Sequence, residues 1–344
     1  MGFHSERENM RRNIAAKLLL CLVAICVSGS AALAGDASLD DAKKVVLKLA
    51  TIYAPSHPVS IGLEKLAETC YDKSGGKLDV QHFPAAQIGN EPSIHEGLRN
   101  GTVHMAVMGI SEAGKRYEPV LVYDAPFLFR DADHMLKSFS SDVGKKVWSE
   151  FEKASGITML FPIYYGTRQL TTNKPVPDTA ALTGMKIRVP DQPNSVATWQ
   201  ALGAVPTPMN LSEVYLSLQT GVVDGQENPL ATIISSKFYE VCKFINMTNH
   251  SVQSVPLFIN SKVYEDLHPA LKTILDEAIA TDVAGINDEI KAYEVSELKR
   301  LQDKEGVTVV ETNFDDFLNA AQGVIKASED EWGKGLYDSL QAVK

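Results

Sequence analysis

The alternation of apolar and polar positions along the chain predicts an α/β protein. Residues Val45 to Ala54 are rich in β-branched and apolar side chains and predict a strand. Residues Pro58 to Lys73 repeat apolar side chains at helical spacing and predict a helix. The next three elements are predicted to be a strand, a helix and a strand, over Leu78 to Phe83, Glu91 to Asn100 and Val103 to Met108. Because strands and helices alternate, we expect a parallel sheet covered by helices.

The same alternation continues through the rest of the chain. Lys186 to Val189 predicts a short strand, and Gly225 to Pro229 predicts a polar turn after a strand that opens at Val222 and Val223. Ser251 to Asn260 is extended and apolar enough to cross between two lobes, and Pro269 to Asp303 is a very long helical pattern. We therefore expect two α/β lobes with a ligand cleft between them and a long helix spanning both. The predicted lobes are residues 35–165 with about 254–293, and residues 166–253 with about 294–344.

The amino terminus has the pattern of a secretory signal. Arg11, Arg12 and Lys17 precede an apolar run from Leu18 to Val27, and Ala32-Leu33-Ala34 fits a cleavage site. We expect residues 1–34 to be a signal peptide and the mature protein to reach the periplasm; a retained membrane anchor is the alternative. Since no second stretch of about 18 apolar residues follows, the mature protein is not expected to be embedded in the membrane.

Composition and the absence of known motifs argue against nucleic-acid binding, catalysis and metal binding. The net charge of −10 argues against a nucleic-acid partner, although one or two buried arginines could still bind an anionic ligand. The chain lacks a nucleophile elbow, an H-E-x-x-H motif, a phosphate loop and a dinucleotide fingerprint, and its histidines form no metal-binding pattern. The sequence therefore predicts a binding protein without enzymatic activity, metal or cofactor. Cys70 and Cys242 are expected to be small core residues or a disulfide pair.

Arg188 is the first candidate for ligand binding. It lies within a predicted strand, and its neighbours Ile187 and Val189 would face the other side of the sheet. Because arginine is rarely buried without a partner, its side chain either stays at a solvated sheet edge, forms a structural salt bridge or points into a cleft. In a cleft, its guanidinium offers two parallel donors to a carboxylate.

The other candidates from the pattern occupy the ends of strands and helices. Arg168 follows the same logic, and Gly166 beside it would let the backbone approach a ligand. Asn228 precedes Pro229 and either binds a ligand or caps a helix. His57 follows the first strand, at the edge where α/β sheets bind ligands, with a surface loop as the alternative. Three more residues could line the pocket or serve the local fold instead, namely Glu91, Met108 and Tyr165.

Several motifs carry a resemblance to a known family. They are Gly184-Met185-Lys186-Ile187-Arg188-Val189-Pro190, Ala201 to Met209, and Gly221-Val222-Val223-Asp224-Gly225-Gln226-Glu227-Asn228-Pro229. Over nearly the whole mature chain, the sequence resembles the solute-binding proteins of tripartite ATP-independent periplasmic (TRAP) transporters, of the dicarboxylate-binding type. The resemblance implies a two-lobed periplasmic binding protein fold. It also implies that Arg188 forms the main salt bridge to a ligand carboxylate, with Arg168 and Asn228 at the same end. The partners implied are a small carboxylate and the small and large TRAP membrane subunits.

The sequence is also similar to the sialic-acid-binding branch of that family, around Tyr165 to Asn173 and Pro206 to His250. Leu211, assigned to the ligand site, stands where that branch has an aromatic residue, and Met108 stands where it has an acidic one. Because both differences remove partners for hydroxyl groups, a keto acid, a dicarboxylate or an aromatic acid is indicated as well as a sugar acid. The alternative functions are a periplasmic ligand sensor and a cleft enzyme that uses Glu227 or His57.

Overall fold

Eleven strands and a larger number of helices make up residues 38–344, which are the residues that the computed structural model describes. The strands are β1 (Val45–Ala50), β2 (Leu78–Phe83), β3 (Met105–Val107), β4 (Ile157–Phe161), β5 (Tyr164–Thr172), β6 (Lys186–Val189), β7 (Val205–Pro208), β8 (Gly225–Pro229), β9 (Phe244–Ser254), β10 (Leu257–Asn260) and β11 (Thr308–Glu311). The predicted signal peptide, residues 1–34, lies outside the described residues.

The α-helices between these strands vary from one turn to about six turns. They are α1 (Pro58–Lys73), α2 (Glu91–Asn100), α3 (Ile110–Gly114), α4 (Ala132–Ser140), α5 (Asp142–Ser155), α6 (Pro193–Ala201), α7 (Val214–Gln219), α8 (Leu230–Ser235), α9 (Phe238–Val241), α10 (Ser261–Glu265), α11 (Pro269–Ala278), α12 (Ala284–Lys304), α13 (Phe314–Ala327), α14 (Glu329–Trp332) and α15 (Leu336–Gln341). Short 3-10 turns cover Leu39–Asp41, Glu118–Asp124, Thr179–Leu182 and Leu211–Glu213.

Local caps explain why α1 and α2 have the bounds that the sequence predicts. Helix α1 has Pro58 in its first turn, and the Nδ1 atom of His57 accepts the Val59 N–H at 3.1 Å. Helix α2 begins after Asn90, whose side chain accepts the Ser93 N–H, and ends at Gly101 in the left-handed region with φ 78°. These signals are local, so the sequence alone places both helices.

The first sheet contains the predicted parallel core. Its strand order is β2-β1-β3-β10-β4, with β1 parallel to both β2 and β3. Strand β10 returns antiparallel to β3 and β4. Helices cover this sheet, and its apolar core includes Leu49, Leu63 and Phe258. The α/β class and the alternation of strand and helix are therefore confirmed.

The second sheet is mixed and has the strand order β11-β9-β5-β8-β6-β7. Strand β8 pairs antiparallel with β5 and parallel with β6, and all five of its residues are buried. The prediction of a polar turn over Gly225 to Pro229, after a strand at Val222 and Val223, is wrong. The polar side chains of β8 can be buried because they bond to one another and to β5; Gln226, for example, donates to the Thr171 hydroxyl at 3.1 Å.

A long helix connects the regions of the two sheets, as predicted. It runs through α11, a π-helical turn at Ile279–Val283 and α12. Ile286 packs in the core of the first sheet, where a Cβ atom on Gly62 would approach it to 2.3 Å. Leu301, near the other end, is buried in a cluster beside the second sheet. The helix therefore contributes to the cores of both lobes.

The two cysteines of the described region are buried and unbridged, Cys70 beside the first sheet and Cys242 beside the second. Their interpretation as small core residues is therefore confirmed. Within residues 38–344, none of the helices combines the length and the apolar character needed to cross a membrane.

Candidate ligand-binding site

A cavity of about 310 Å³ lies where the carboxyl ends of parallel strands from both sheets face each other. Residues after β1, β2 and β3 line one side, and residues after β6 and β7 line the other. The volume falls within the range of small-molecule sites. Six of the residues predicted from the sequence line this cavity: Glu91, Tyr165, Arg168, Arg188, Leu211 and Asn228.

Arg188 is buried at the cavity wall without an acidic partner. Its side chain is only 3% exposed, whereas Ile187 and Val189 point into a separate apolar core, as expected for a strand. Its Nε and Nη2 atoms both donate to the main-chain carbonyl of Met209, at 3.1 and 2.7 Å. None of the ion pairs within residues 38–344 includes Arg188. Burial lowers the pKa of Arg188 to about 10, so it stays charged at neutral pH.

Arg168 has the opposite environment, because a carboxylate neutralises it. Its Nε atom donates to one oxygen of Glu227, and its Nη2 atom donates to the other oxygen at 2.8 Å. Nη2 also reaches the main-chain carbonyl of Glu227 at 2.7 Å, and Nη1 donates to Gln253. Burial alone would raise the pKa of Glu227, but Arg168 and a hydrogen bond from His250 lower it to about 2. Glu227 is therefore a fixed anion.

Two further side chains extend this buried network. The His250 Nε2–H donates to Glu227 at 3.0 Å, and burial lowers the pKa of His250, so that the imidazole stays neutral at pH 7. Gln253 links Arg168 to Asp124, whose Oδ1 atom accepts the Gln253 amide at 3.4 Å. Burial raises the pKa of Asp124 to about 7. Arg168 and Gln253 line the cavity, whereas Glu227, His250 and Asp124 lie behind them and hold Arg168 in one orientation.

Asn228 lines the cavity from β8, where the following proline keeps it extended as expected. It does not cap a helix; its Nδ2 atom donates to Gln226 at 2.6 Å, within the strand. Gly166, on β5, does not approach the cavity. A Cβ atom there would lie 2.5 Å from Pro229 and 2.6 Å from Glu294, so this glycine serves backbone packing at φ 125°.

Glu91 reaches the cavity from the first turn of α2. Its Oε1 atom accepts the N–H of Gly109 at 2.9 Å, which fixes the carboxylate against the end of β3. Burial raises the pKa of Glu91, and the hydrogen bond from Gly109 opposes that rise. The residue is thus more than a first-turn acid, because it faces the same cavity as Arg188 from the other sheet.

The structure does not bring His57 to the cavity wall. Its ring is fully buried, stacked on Tyr53 with a centroid distance of 5.1 Å and on Tyr165 at 5.5 Å. Those two tyrosines line the cavity in its place, and the Tyr165 hydroxyl contacts that of Thr232. His57 is neither a surface residue nor a wall residue, because the cap of α1 and the aromatic stack hold it behind the wall.

Met108 is likewise placed behind the wall. It follows the last residue of β3 and is fully buried in the core of the first sheet. The next residue, Gly109, lines the cavity and offers its N–H to Glu91. Leu211 does line the cavity, at the start of a 3-10 turn that Asn210 and Glu213 close with a capping box.

A second cavity, of about 690 Å³, lies outside this site and contains charges that are already satisfied. Arg130 donates to the main-chain carbonyls of Gln341 and Val343, at 2.9 and 2.8 Å. Lys291 pairs with Asp133 at 2.7 Å. Of these two cavities, only the one of about 310 Å³ contains a buried arginine, Arg188, that forms no salt bridge among the described residues. It is therefore the better candidate for an anionic ligand.

Comparison with known proteins agrees with this geometry. The model of bacterial extracellular solute-binding proteins of family 7 matches residues 49–331. The chain belongs to that family. Its members are substrate-binding proteins of transporters, so the prediction of a binding protein that is not an enzyme is confirmed.

Relatives of this family 7 protein include TRAP solute-binding proteins. The sialic acid-binding periplasmic protein SiaP of Vibrio cholerae is 32% identical over 81% of this chain and 86% of the relative. The C4-dicarboxylate-binding periplasmic protein DctP of Rhodobacter capsulatus is 30% identical over 76% of this chain and 79% of the relative. A TRAP periplasmic solute-binding protein from Actinobacillus succinogenes, solved with bound L-galactonate, is 30% identical. It superposes with a TM-score of 0.82 over 86% of this chain and 98% of its own. The resemblance to TRAP solute-binding proteins and the two-lobed fold are confirmed.

Some cavity residues of the family 7 chain escaped the sequence interpretation. Gln253 could have been noticed as a polar residue in the extended run that crosses between the lobes. Glu112, Lys115 and Gln192 also line the cavity, but they occupy short turns or helix starts where no periodic pattern marks them.

The buried His57 leads to a prediction about acid stability. Its pKa, lowered by burial to about 3, lies below the ordinary value of about 6.5, so the unfolded chain binds the extra proton first. Folding stability should therefore fall as the pH drops below 6.5, by on the order of 1 kcal/mol per pH unit from this group. We expect the His57→Asn variant, which keeps a capping oxygen, to show a shallower loss between pH 6.5 and 4 in urea unfolding. A slope equal to that of the wild type would contradict this role.

Proposed function

We propose that this chain captures a small organic acid in the periplasm and delivers it to the small and large membrane subunits of a TRAP transporter. In this proposal, Arg188 forms a salt bridge with the carboxylate of the ligand. Arg168 and Asn228 contact the same end of the molecule. The signal-peptide pattern at residues 1–34 supports export, and the periplasmic relatives support the same compartment.

The observation that supports the salt bridge is the unpaired charge of Arg188. A buried guanidinium that contacts only one carbonyl has lost most of its hydration without gaining a counter-ion. A carboxylate in the cavity would supply that counter-ion and accept two parallel hydrogen bonds. Arg168 cannot play the same part, because Glu227 already occupies its fork. In this proposal, Arg168 contributes the second N–H of its Nη1 atom, which Gln253 does not use, and it does so from a fixed position.

The relatives support an organic acid as the ligand. The proteins named above bind sialic acid, a C4-dicarboxylate and L-galactonate, which all carry a carboxylate. The cavity of this chain combines apolar surfaces such as Ile52, Leu211 and Val255 with polar groups. Such a lining suits a molecule with a charged end and a partly hydroxylated body.

Thermal unfolding of the mature protein against a panel of small acids tests the proposal. A ligand at about 100 times its dissociation constant adds about 2.7 kcal/mol of stability. For a chain of this length, that corresponds to roughly 4 °C in melting temperature. We expect one class of acids to produce this shift, whereas the corresponding amides and alcohols do not. Equal shifts with neutral analogues would contradict the role of Arg188.

A further inference from the structure

The cavity contains two charges of opposite sign that the protein itself leaves unpaired. Arg188 on β6 is the cationic one, as its contacts show. Glu91 on α2 supplies the anionic one in its carboxylate form, which the Gly109 N–H and the nearby charges of Arg188 and Lys115 favour against the rise in pKa that burial causes. Among the described residues, no cation forms a salt bridge with this carboxylate. Arg188 belongs to the second sheet and Glu91 to a helix that packs on the first sheet, so a ligand anchored on Arg188 lies in the same cavity as Glu91.

The other acids that line the cavity, Glu112 and Asp191, are neutralised or solvated, whereas Asp124 and Glu227 do not line it. Glu112 accepts the Lys115 ammonium group at 2.7 Å, and Glu227 pairs with Arg168. Asp191 is exposed, so water and salt screen its charge. Glu91 is therefore the carboxylate that a bound molecule meets without an intervening cation.

The Glu91 carboxylate interacts favourably with hydroxyl groups of a ligand and unfavourably with a second carboxylate. It accepts hydrogen bonds from hydroxyl groups, because three of its four acceptor positions remain after the bond from Gly109. It repels a second carboxylate on the ligand, because like charges in a desolvated site are strongly unfavourable. Arg188 and Glu91 line the same cavity of about 310 Å³, so the far end of a ligand anchored at Arg188 shares that cavity with the Glu91 carboxylate.

We propose that Glu91 is a charge filter that makes the site select hydroxylated monocarboxylates and reject dicarboxylates. The inference rests on the proposed function, because it requires a carboxylate anchored at Arg188. Of the acid classes that the sequence left open, it removes the dicarboxylates. It also distinguishes this chain from its dicarboxylate-binding relative.

Calorimetry with two matched pairs of acids tests the filter. L-galactonate and galactarate differ only in the terminal carbon, a hydroxymethyl group in the first and a carboxylate in the second. D-erythronate and meso-tartrate form the same kind of pair with four carbons. We expect the wild type to bind the monocarboxylate of a pair more tightly by at least about tenfold. The Glu91→Gln variant should lose this preference or reverse it, since the amide still accepts the Gly109 N–H and also donates to a second carboxylate.

Two further variants separate charge from structure. Glu91→Asp keeps the negative charge and should keep the preference for the monocarboxylate. Glu96→Gln makes the same chemical change on the same helix, at a half-exposed residue paired with Arg99 and Arg116, and should also keep it. Melting curves without ligand establish that each variant is folded. If Glu91→Gln does not fold, Glu91→Asp is compared with the wild type instead, and loss of the preference in folded Glu91→Asp would contradict the filter.

The outcomes distinguish this inference from the proposed function. Equal affinities within each pair for the wild type, or an unchanged ratio in folded Glu91→Gln, would overturn the filter while leaving carboxylate capture in place. If neither member of either pair binds although another carboxylate shifts the melting temperature, the preference for hydroxylated monocarboxylates is overturned and carboxylate capture stands. If no acid of the melting panel binds either, carboxylate capture at this site fails and the filter fails with it. Tighter binding of the monocarboxylate, lost only in Glu91→Gln, supports both.

Discussion

Replacing Arg188 with alanine is expected to weaken binding of the carboxylate ligand by roughly a hundredfold to several thousandfold. Removing one partner of a buried ion pair typically destabilises the complex by about 3–5 kcal/mol, because the other charge stays desolvated and unpaired. Here the unpaired charge would be the ligand carboxylate, since Arg168 is already engaged with Glu227. Titration calorimetry with the acid found in the melting screen measures the loss.

The stability of the ligand-free protein should respond in the opposite way. Arg188 is desolvated and has only a carbonyl partner, so an uncharged side chain of similar length removes an unfavourable burial. We expect Arg188→Met to melt at or above the wild-type temperature without ligand and to lose the ligand-induced shift. Arg188→Lys should also bind poorly, because an ammonium group cannot reproduce the planar fork. Arg99→Ala removes a surface arginine outside the cavity and should leave binding unchanged.

The second large effect is expected at Glu227. The Glu227→Gln variant should lose about 3–5 kcal/mol of stability, because it leaves the Arg168 cation buried without its anion. For a chain of this length, that is roughly 5 to 8 °C in melting temperature. The side-chain amide of glutamine has nearly the same size as the carboxylate, but its NH2 group would face N–H donors on Arg168 and His250. The similar size of glutamine therefore does not restore the lost hydrogen bonds.

The pH dependence provides a check on the same assignment. The folded pKa of Glu227 is depressed to about 2, so its stabilising contribution is fully present above the unfolded value near 4.5 and disappears as the pH falls toward 2. The wild type and Glu227→Gln should therefore differ most at neutral pH and converge in stability below pH 4.5. A difference that stays constant down to pH 2 would mean that Glu227 does not act as an anion.

Much of the fold follows from local signals in the sequence. The helix over Pro58–Lys73, the helix over Glu91–Asn100 and the strand over Lys186–Val189 have the predicted bounds. Caps, prolines and glycines near the ends of these elements lie within a few residues of the positions they terminate. The strand over Gly225–Pro229 could not be predicted in this way. The polar side chains of this strand can be buried because partners elsewhere bind them; Arg168, for example, pairs with Glu227. Since these two residues are 59 positions apart in the sequence, no local pattern reveals the pair.

The candidate site shows the same division between local and distant information. Residue type and strand position brought Arg188, Arg168 and Asn228 together as candidates, and all three line the cavity. The sequence could not indicate which arginine is neutralised, because the counter-ion of Arg168 belongs to a different strand. It could not place His57 either, since the tyrosines that cover its ring converge only in the folded protein.

The contrast between the two arginines has a consequence for how this chain can evolve. If the proposed function holds, ligand capture constrains position 188 more than folding does, because the only hydrogen bonds of Arg188 among the described residues go to the Met209 carbonyl. A lineage that no longer needs the ligand is then expected to replace Arg188 in one step with little loss of stability. Arg168 and Glu227 are coupled, because changing either alone exposes the other as an unpaired buried charge. Drift away from the ancestral function should therefore appear first at position 188. Any change at 168 should be accompanied by a compensating change at 227.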